Sequence, residues 1–286
     1  MPLTLARRLA LALGVVVGVI GVAQAETRES GLRHMSAFGI RTNTLGLGVF
    51  SDTAWRFPFF RSESPLLRGT YLDLGIVSQL SPATFHPGVF IETVPVAILK
   101  LRASAQRAQY FGTFGSLAPF PDHDWSPTAM HRARHHARRG GGYIYDGRAM
   151  LRAKAWRIVG SSELDVSRYD LGVDTPVIES VTDLLIEPHD GITQVKSTLG
   201  YVIYGQAAHP DSLLVAALHQ YFRTDKTDVT RQIVGAAVVW APSPDVWSTG
   251  SPTWAFLAGT FLQDPYRQGR PYLGTLLTMT FAGAER

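Results

Sequence analysis

The chain has 286 residues, a formal net charge of +4, and no cysteine, so a disulfide framework and thiolate chemistry are excluded. Charged residues make up 17% of the chain, fewer than in most soluble domains. The excess of basic residues lies in Arg7 and Arg8 and in residues 113–142, so the net charge does not indicate nucleic-acid binding.

The first 25 residues are predicted to be a cleavable signal peptide. Arg7 and Arg8 precede the apolar run "LALALGVVVGVIGVA", and Ala23, Gln24 and Ala25 form an A-x-A cleavage site. The apolar run is shorter than the roughly 20 residues that a membrane-spanning helix needs. The sequence therefore predicts an exported protein in which residues 26–286 form a single domain.

Residues 26–286 show short alternating runs rather than long apolar ones. In the run at 69–80, Leu72, Leu74 and Ile76 share one face, and Asp73 and Gln79 share the other. The runs lie at 44–57, 69–80, 89–94, 99–111, 143–159, 178–187, 192–204, 213–224, 228–241, 252–262 and 271–281. Such a pattern is typical of a transmembrane β-barrel, and a soluble exported β-sandwich is the alternative.

The number of strands follows from parity. These eleven runs give an odd count, whereas single-chain bacterial barrels use even numbers of strands. Either residues 33–41 or the segment "SELDVSRYD" (162–170) supplies another strand. We therefore expect an up-and-down antiparallel barrel of twelve strands, with ten as the alternative.

The connections differ in length. A tight turn is expected at residues 95–97, because proline is tolerated at the end of a paired strand but not inside it. Residues 113–142 have no period and contain Gly140, Gly141 and Gly142, so a long irregular loop is expected there. If residue 281 ends in the periplasm, the turn lies on the periplasmic side and the loop lies outside the cell.

The basic loop contains the only cluster with the composition of a metal site. His131 and His135 are four residues apart, close to His136, His123, Asp122 and Asp124. On a helix, that spacing could place two imidazoles on one metal ion. No helical pattern is evident in residues 131–139, so we expect a solvated basic segment near anionic sugar-phosphates and no metal.

The last run carries the one resemblance to a known class. Leu273, Leu277, Met279 and Phe281 share one face, and Tyr272 and Gly274 lie on the other. A final strand that ends in Phe with apolar alternate positions resembles the C-terminal signal of bacterial outer-membrane β-barrel proteins, although residues 282–286 extend beyond the usual end. The resemblance implies a Gram-negative outer-membrane location, with outer-membrane lipids and the barrel-insertion machinery as partners. The residues that match the insertion signal are Tyr272, Gly274, Leu277, Met279 and Phe281.

Charged side chains opposite the apolar faces are predicted to line the lumen. The predicted lumen-lining cations are Lys100, Arg102, Arg148, Arg152, Lys154, Lys196 and Arg223. The predicted lumen-lining anions are Asp73, Glu92, Asp183 and Glu187, and His219 is expected beside them. These groups either pair across the lumen and close it, or line a narrow, porin-like, anion-leaning passage for small solutes.

The sequence supports a catalytic function less than it supports a charged lumen. His219 lies in a run, with Ser197, Ser212 and Asp183 as candidate partners, but no nucleophile elbow surrounds them. No catalytic residue and no cofactor is predicted. The expected function is a structural or binding role at the cell surface or small-solute passage, with a lipid-modifying enzyme as the alternative.

Overall fold

The structure is a computed structural model that describes residues 30–43, 46–60, 62, 64–121, 124–206, 211–243 and 251–282. The predicted signal peptide, residues 1–25, lies outside the described residues. The strands of the main sheet are β1 (Gly31–Arg41), β2 (Gly46–Pro58), β3 (Tyr71–Leu80), β4 (Thr84–Val96), β5 (Leu99–Phe111), β7 (Arg139–Ala155), β8 (Ile158–Leu171), β11 (His189–Tyr204), β12 (Ser212–Thr224), β13 (Thr230–Ala241), β14 (Ser251–Gln263) and β15 (Pro271–Ala282). The remaining elements are β6 (Ala118–Pro119), helix α1 (Pro127–His135), β9 (Val177–Ile178) and β10 (Leu185–Ile186).

The main sheet closes on itself. Its twelve strands pair with their neighbours along the chain, and β1 pairs antiparallel with β15, where Phe38 lies opposite Leu277. The prediction of a twelve-stranded up-and-down barrel is confirmed. The β-sandwich alternative is wrong, because a sandwich has two sheets with free edges and this sheet has none.

The number of strands is as predicted, but two of the predicted segments differ from the observed strands. Both segments that were alternatives for the twelfth strand, residues 33–41 and 162–170, lie in barrel strands. Residues 178–187, predicted to be a strand, form no part of the barrel and contain only the ends of β9 and β10. Most of their apolar side chains, those of Ile178, Leu184, Leu185 and Ile186, are buried rather than alternately exposed, because the segment folds inward.

The two ends of the barrel differ. The start of β1 and the end of β15 lie at one end, called here the turn end, together with the two-residue turns at 97–98 and 156–157. The predicted turn at residues 95–97 therefore lies within one residue of its observed place. The opposite end, called the loop end, carries the long connections 112–138 and 172–188.

The basic segment is more ordered than its composition suggests. Helix α1 lies within the predicted irregular loop, and β7 already begins at Arg139. The Ser126 side chain accepts a hydrogen bond from the Ala129 amide, and proline occupies the first turn, both of which favour helix initiation. Met130 and Ala133 bury one side of this short helix, and no periodic pattern in the sequence reveals so brief an element.

Residues 172–188, called here the inserted loop, enter the barrel from the loop end. Strands β9 and β10 pair with each other, and β9 also pairs with β6. The fully buried Leu184, Leu185 and Ile186 pack against Leu117 and the rest of the main hydrophobic core. Side chains from strands on opposite sides of the barrel contact the loop, which therefore lies across the lumen.

The outer surface of the barrel is apolar. Along the strands, buried side chains alternate with exposed ones, and many of the exposed ones are large and hydrophobic, such as Leu74, Val89 and Leu199. Exposed aromatic side chains cluster near both ends of the strands. They include Trp55, Phe57, Trp156, Tyr201 and Trp240 at the turn end, and Phe38, Phe111, Tyr143 and Tyr145 at the loop end. Within the described part of the chain, no helix has both the length and the hydropathy to cross a membrane.

Candidate functional site in the barrel lumen

One side of the lumen carries ionised side chains, and we call it the charged wall. It is formed by the inner faces of β2–β5, β7, β8 and β11, where alternation turns the polar residues inward. The charged wall comprises Asp52, Arg56, Asp73, Glu92, Lys100, Arg102, Asp146, Arg148, Glu163, Asp165 and Lys196. Each of its basic side chains has a carboxylate within ion-pair distance.

Arg102 is at the centre of one group of contacts. Its Nη1 and Nη2 atoms donate to the Asp52 carboxylate at 2.6 and 3.1 Å, and Nη1 lies 3.5 Å from Glu92. Its guanidinium carbon also lies 3.9 Å from the centre of the Phe90 ring. Lys100 Nζ reaches Glu92 at 2.8 Å, so both cations of this β5 face pair with carboxylates on neighbouring strands.

Arg56 forms a second group nearer the turn end. Its Nε and Nη2 atoms donate to Asp73 at 2.9 and 2.8 Å, and its guanidinium carbon lies 3.4 Å from the centre of the Tyr71 ring. The Tyr71 hydroxyl donates to Glu92 at 2.9 Å. This hydroxyl links the Arg56 group to the contacts around Arg102.

Arg148 and Lys196 share a third group. Arg148 donates to Asp165 from Nε at 3.0 Å and lies 2.8 Å from the same carboxylate through Nη2. Glu163 lies 3.7 Å from Arg148 and accepts from Lys196 Nζ at 3.1 Å. Both nitrogens of Arg148 contact the same oxygen of Asp165, Oδ2, whereas Lys196 makes a single contact with Glu163.

The carboxylate of Asp146 accepts its hydrogen bonds from uncharged side chains. Its carboxylate accepts from Ser104 Oγ at 2.8 Å, Gln106 Nε2 at 2.8 Å and Ser167 Oγ at 2.7 Å. These donors replace water that the half-buried carboxylate loses.

The opposite side of the lumen is apolar. Inward positions of β12–β15 carry hydrophobic side chains that belong to the main core. The side chains of this apolar wall are Leu214, Leu218, Phe222, Ile233, Val239, Leu257, Phe261 and Leu276. The interior is therefore divided between an ionic side and a hydrophobic side.

Asp183 holds the tip of the inserted loop, residues 179–183, in place. Its carboxylate pairs with Arg134 at 2.7 Å and with Arg267, and it lies 4.0 Å from Arg231. Arg231 also donates to the Thr182 and Asp183 carbonyl oxygens, each at 2.7 Å. Burial alone would raise the pKa of Asp183, but the neighbouring arginines outweigh it and hold this pKa well below its usual range.

Glu179 folds the other half of the tip. Its carboxylate accepts from the backbone amides of Val181 and Thr182 at 2.8 and 2.7 Å, and from the Tyr110 hydroxyl at 3.0 Å. Burial raises the pKa of Glu179, and these hydrogen bonds offset only part of the rise. The Arg41 side chain donates to the Val181 carbonyl oxygen at 3.3 Å, which ties the tip to β1 as well.

A cavity of about 160 Å³ lies between the inserted loop and the charged wall. Val181 and Thr182 line it from the loop, and Arg102, Asp146 and Arg148 line it from the barrel. A water molecule occupies about 30 Å³ of liquid, so the cavity has room for several waters or one small polar solute.

Six of the predicted lumen-lining residues belong to the charged wall: Asp73, Glu92, Lys100, Arg102, Arg148 and Lys196. Arg152 and Lys154 lie farther along the same face of β7, where Arg152 Nε donates to the Ala97 carbonyl oxygen at 2.8 Å. Lys154 is exposed at the turn end. Asp183 and Glu187 lie in the inserted loop and not on a barrel strand, which corrects their predicted position.

The prediction for β12 is wrong, because its faces are reversed. Leu214, Leu218 and Phe222 point into the barrel, and His219 and Arg223 point outward. Apolar residues were expected on the outside, but here they form part of the apolar wall. Arg223 is exposed near the loop end and pairs with Asp228 at 2.9 Å.

His219 lacks the expected catalytic neighbours. Ser197 lies directly across from it on β11, but among the described residues no hydrogen bond joins the two, and Ser197 Oγ instead lies 3.2 Å from Ser162 Oγ. Ser212 faces inward near the turn end, and Asp183 is held in the inserted loop. The structure therefore does not bring together the suggested Ser–His group.

The histidines of the basic segment do come together. His131 and His135 lie on α1, and their Nε2 atoms are 3.1 Å apart. Both are exposed, and the described ranges contain no group of three or more side chains suited to hold a metal ion. Asp122 and His123 lie outside the described residues.

Several members of the site were not recognised in the sequence. Asp52 and Arg56 lie in the run at 44–57, for which no inward face was predicted, and Glu163 and Asp165 lie in the segment 162–170, which was only an alternative for the twelfth strand. The usable signal was alternation in "SELDVSRYD", where Glu163, Asp165 and Ser167 share a face.

Comparisons with known proteins find weak similarity to solved bacterial outer-membrane proteins. No protein-family model and no curated protein matches the chain. Among solved structures, the beta domain of the Bordetella autotransporter BrkA is 10% identical, with 87% of this chain and 98% of that chain covered and a TM-score of 0.43. The outer-membrane expressed OmpT of Vibrio cholerae is 5% identical, with 92% and 100% covered and a TM-score of 0.38. The Acinetobacter baumannii outer membrane protein Omp33 is 11% identical, with 89% and 99% covered and a TM-score of 0.38. At these values the similarity does not extend to particular residues or to an activity.

We predict that Glu163→Gln destabilises the barrel, because it leaves Lys196 buried without its carboxylate. The expected loss in the free energy of unfolding is about 3 kcal/mol. The double variant Glu163→Gln with Lys196→Met should recover most of that loss. Urea unfolding of the refolded protein, followed by tryptophan fluorescence, measures each value.

The matched control is Asp228→Asn, which breaks the exposed pair with Arg223 and should cost less than about 1 kcal/mol. Equal effects of the buried and exposed substitutions would contradict the assignment of a tightly paired charged wall.

Proposed function

We propose that this protein is an outer-membrane β-barrel with a sealed lumen and a structural or binding role at the cell surface. The observation that carries the proposal is the inserted loop, which lies across the lumen and is held there by Asp183 and three arginines. The loop end would face outside the cell and the turn end would face the periplasm, since longer connections of such barrels are extracellular.

The outer surface supports a location in a lipid bilayer. A closed barrel leaves no backbone hydrogen-bonding group unpaired along its edges, which allows it to contact hydrocarbon. Its exposed apolar side chains and the aromatic residues near both ends match the surface expected of a barrel in a membrane. The outward Leu273, Leu277, Met279 and Phe281 of β15 are where the barrel-insertion machinery would bind.

The side chains inside the barrel favour a sealed lumen over an open one. Pairing removes the free cations that an anion pathway would require on the charged wall, and hydrophobic residues fill the facing wall. Opening the lumen would separate the arginines from Asp183, which costs free energy because each buried charge would lose its partner.

A second candidate function is gated passage of small solutes. The cavity beneath the inserted loop favours it, because polar side chains already line that space. Displacement of the loop would connect this cavity with the outside. In that case the inserted loop acts as a gate and not as a permanent seal.

The membrane location is tested by an arginine substitution on the outer surface. Leu199 is exposed and lies near the middle of β11, so Leu199→Arg should lower the free energy of unfolding in bilayers by about 2–4 kcal/mol. The control is Leu66→Arg, because Leu66 is also exposed but lies in the turn between β2 and β3. Equal tolerance of both substitutions would argue against a bilayer around β11.

The closed state is tested by planar-bilayer recording. Refolded wild-type protein should give no step currents, because the inserted loop and the paired charges block the lumen. Asp183→Ala should give step currents, since Arg134, Arg231 and Arg267 would then repel one another and release the loop.

Asp174→Ala serves as the control in the same loop, because Asp174 is exposed and lies nine residues before Asp183 in the chain. This variant should remain silent. Steady step currents from the wild-type protein would overturn the sealed lumen and favour the passage function.

A further inference from the structure

The outer face of the barrel is mostly apolar, and one of its polar groups is a compact set of side chains on β1 and β2. His34 and Ser36 alternate with inward residues of β1, and Ser51 and Thr53 do so on β2. The register places His34 opposite Thr53 and Ser36 opposite Ser51. We call these four residues the outer polar patch. Polar side chains that face lipid are costly, so such a group is a candidate functional site.

Hydrogen bonds connect three members of the patch in a line. His34 Nε2 lies 2.8 Å from Ser36 Oγ, and His34 Nδ1 lies 2.8 Å from Thr53 Oγ1. In the tautomer protonated at Nδ1, the ring donates to Thr53 and accepts the Ser36 hydroxyl proton through Nε2. A hydroxyl, a base that contacts it, and a third group that orients the base are the components of nucleophilic acyl transfer.

We propose that Ser36 and His34 form a catalytic site that hydrolyses carboxylic esters of membrane lipids. The site lies on the outer face, so it is separate from the sealed lumen and goes beyond the function proposed above. Ser36 is the nucleophile, His34 is the general base, and Thr53 is a positioning residue for the imidazole. The substrate class is a glycerolipid with ester-linked acyl chains.

The patch begins close to the headgroup level at the turn end and extends toward the acyl chains. The His34 ring lies 5.9 Å from the Phe281 ring, and Thr53 is two residues from the exposed Trp55 near the turn end. Exposed aromatic residues of membrane barrels lie at the headgroup level, and two residues of strand span about 7 Å. His34 and Thr53 therefore lie just below the headgroup level, and Ser36, which is opposite Ser51 and four residues of strand from the level of Trp55, lies deeper on the acyl-chain side.

Ser51 supplies a donor for the developing negative charge. The backbone amides of β1 are committed to the sheet, so the oxyanion must be stabilised by a side chain. Ser51 lies directly across from Ser36, and side chains at directly opposed positions have Cβ atoms about 5 Å apart. Its hydroxyl could donate to the carbonyl oxygen of an ester attacked by Ser36.

The reaction balances with water as the only co-substrate. Ser36 Oγ bonds to the ester carbonyl carbon while its proton passes to His34 Nε2. The bond between that carbon and the alcohol oxygen then breaks, and the alcohol leaves with the proton from His34. Water, deprotonated by His34, attacks the acyl-serine and releases a fatty acid, which restores both side chains.

Covalent labelling and lipid hydrolysis test the proposal. The full chain is refolded into vesicles of phosphatidylethanolamine and phosphatidylglycerol, and folding is verified by the different gel mobility of unheated and heated samples. Wild-type protein should be labelled by a fluorophosphonate and should release fatty acid from these vesicles. Ser36→Ala should abolish both signals, and His34→Gln should lower them by roughly 10²-fold or more.

Thr53 distinguishes positioning from a purely structural role. Thr53→Val should reduce the labelling rate, whereas Thr53→Ser, which keeps the hydroxyl, should restore it. Vesicles of ether-linked lipids should yield no fatty acid, because they lack the ester carbonyl.

The matched control uses the second serine–histidine pair on the outer face. Ser197 and His219 are opposite each other but share no hydrogen bond within the described structure, so Ser197→Ala should leave labelling and hydrolysis unchanged. Absence of labelling in correctly folded wild-type protein would overturn the proposal. So would labelling that survives Ser36→Ala.

Discussion

The charged side chains inside this barrel must be paired, and this constraint determines how most of the interior side chains are arranged. A lumen enclosed by twelve strands and crossed by a loop offers little bulk water to a carboxylate or a guanidinium. An unpaired charge in such a place costs several kcal/mol, whereas a two-point contact with a planar partner offsets much of that cost. Arg102 with Asp52 and Arg56 with Asp73 are the contacts that meet this requirement most fully.

The same constraint explains the inserted loop. Asp183 accepts from arginines of α1 and of the connection after β14, so one carboxylate joins elements that are distant along the chain. The hydrophobic Leu184, Leu185 and Ile186 then fill space that paired charges cannot fill. Electrostatic pairing fixes where the loop lies, and apolar burial contributes most of its stability.

The sequence predicts the barrel because alternation determines which face of a strand is buried. The twelve strands, the tight turn near residue 97 and the long connections at the opposite end could all be inferred this way. The inner face of β5, with Lys100 and Arg102, was identified by the same reasoning. Alternation alone does not tell which of two faces points inward, and for β12 the choice failed because the lumen there is apolar.

Other features depend on contacts that no local pattern encodes. The inserted loop resembles a strand in sequence, and only its burial on all sides reveals that it lies inside the barrel. The outer polar patch arises from the register between β1 and β2, which places Thr53 beside His34 across 19 residues of chain. The partners of Asp183 come from residues 134, 231 and 267, whose proximity follows from closure of the sheet.

The proposed sealing of the lumen can be tested directly because the chain contains no cysteine of its own. A single cysteine at Val181, on the tip of the inserted loop, would line the cavity, and one at Asp174 would lie exposed on the same loop. With a water-soluble maleimide, the account predicts slow labelling of Val181→Cys and fast labelling of Asp174→Cys in the folded protein, with equal rates after unfolding. Equal rates in the folded protein would show that water reaches the cavity freely and would contradict the sealed lumen.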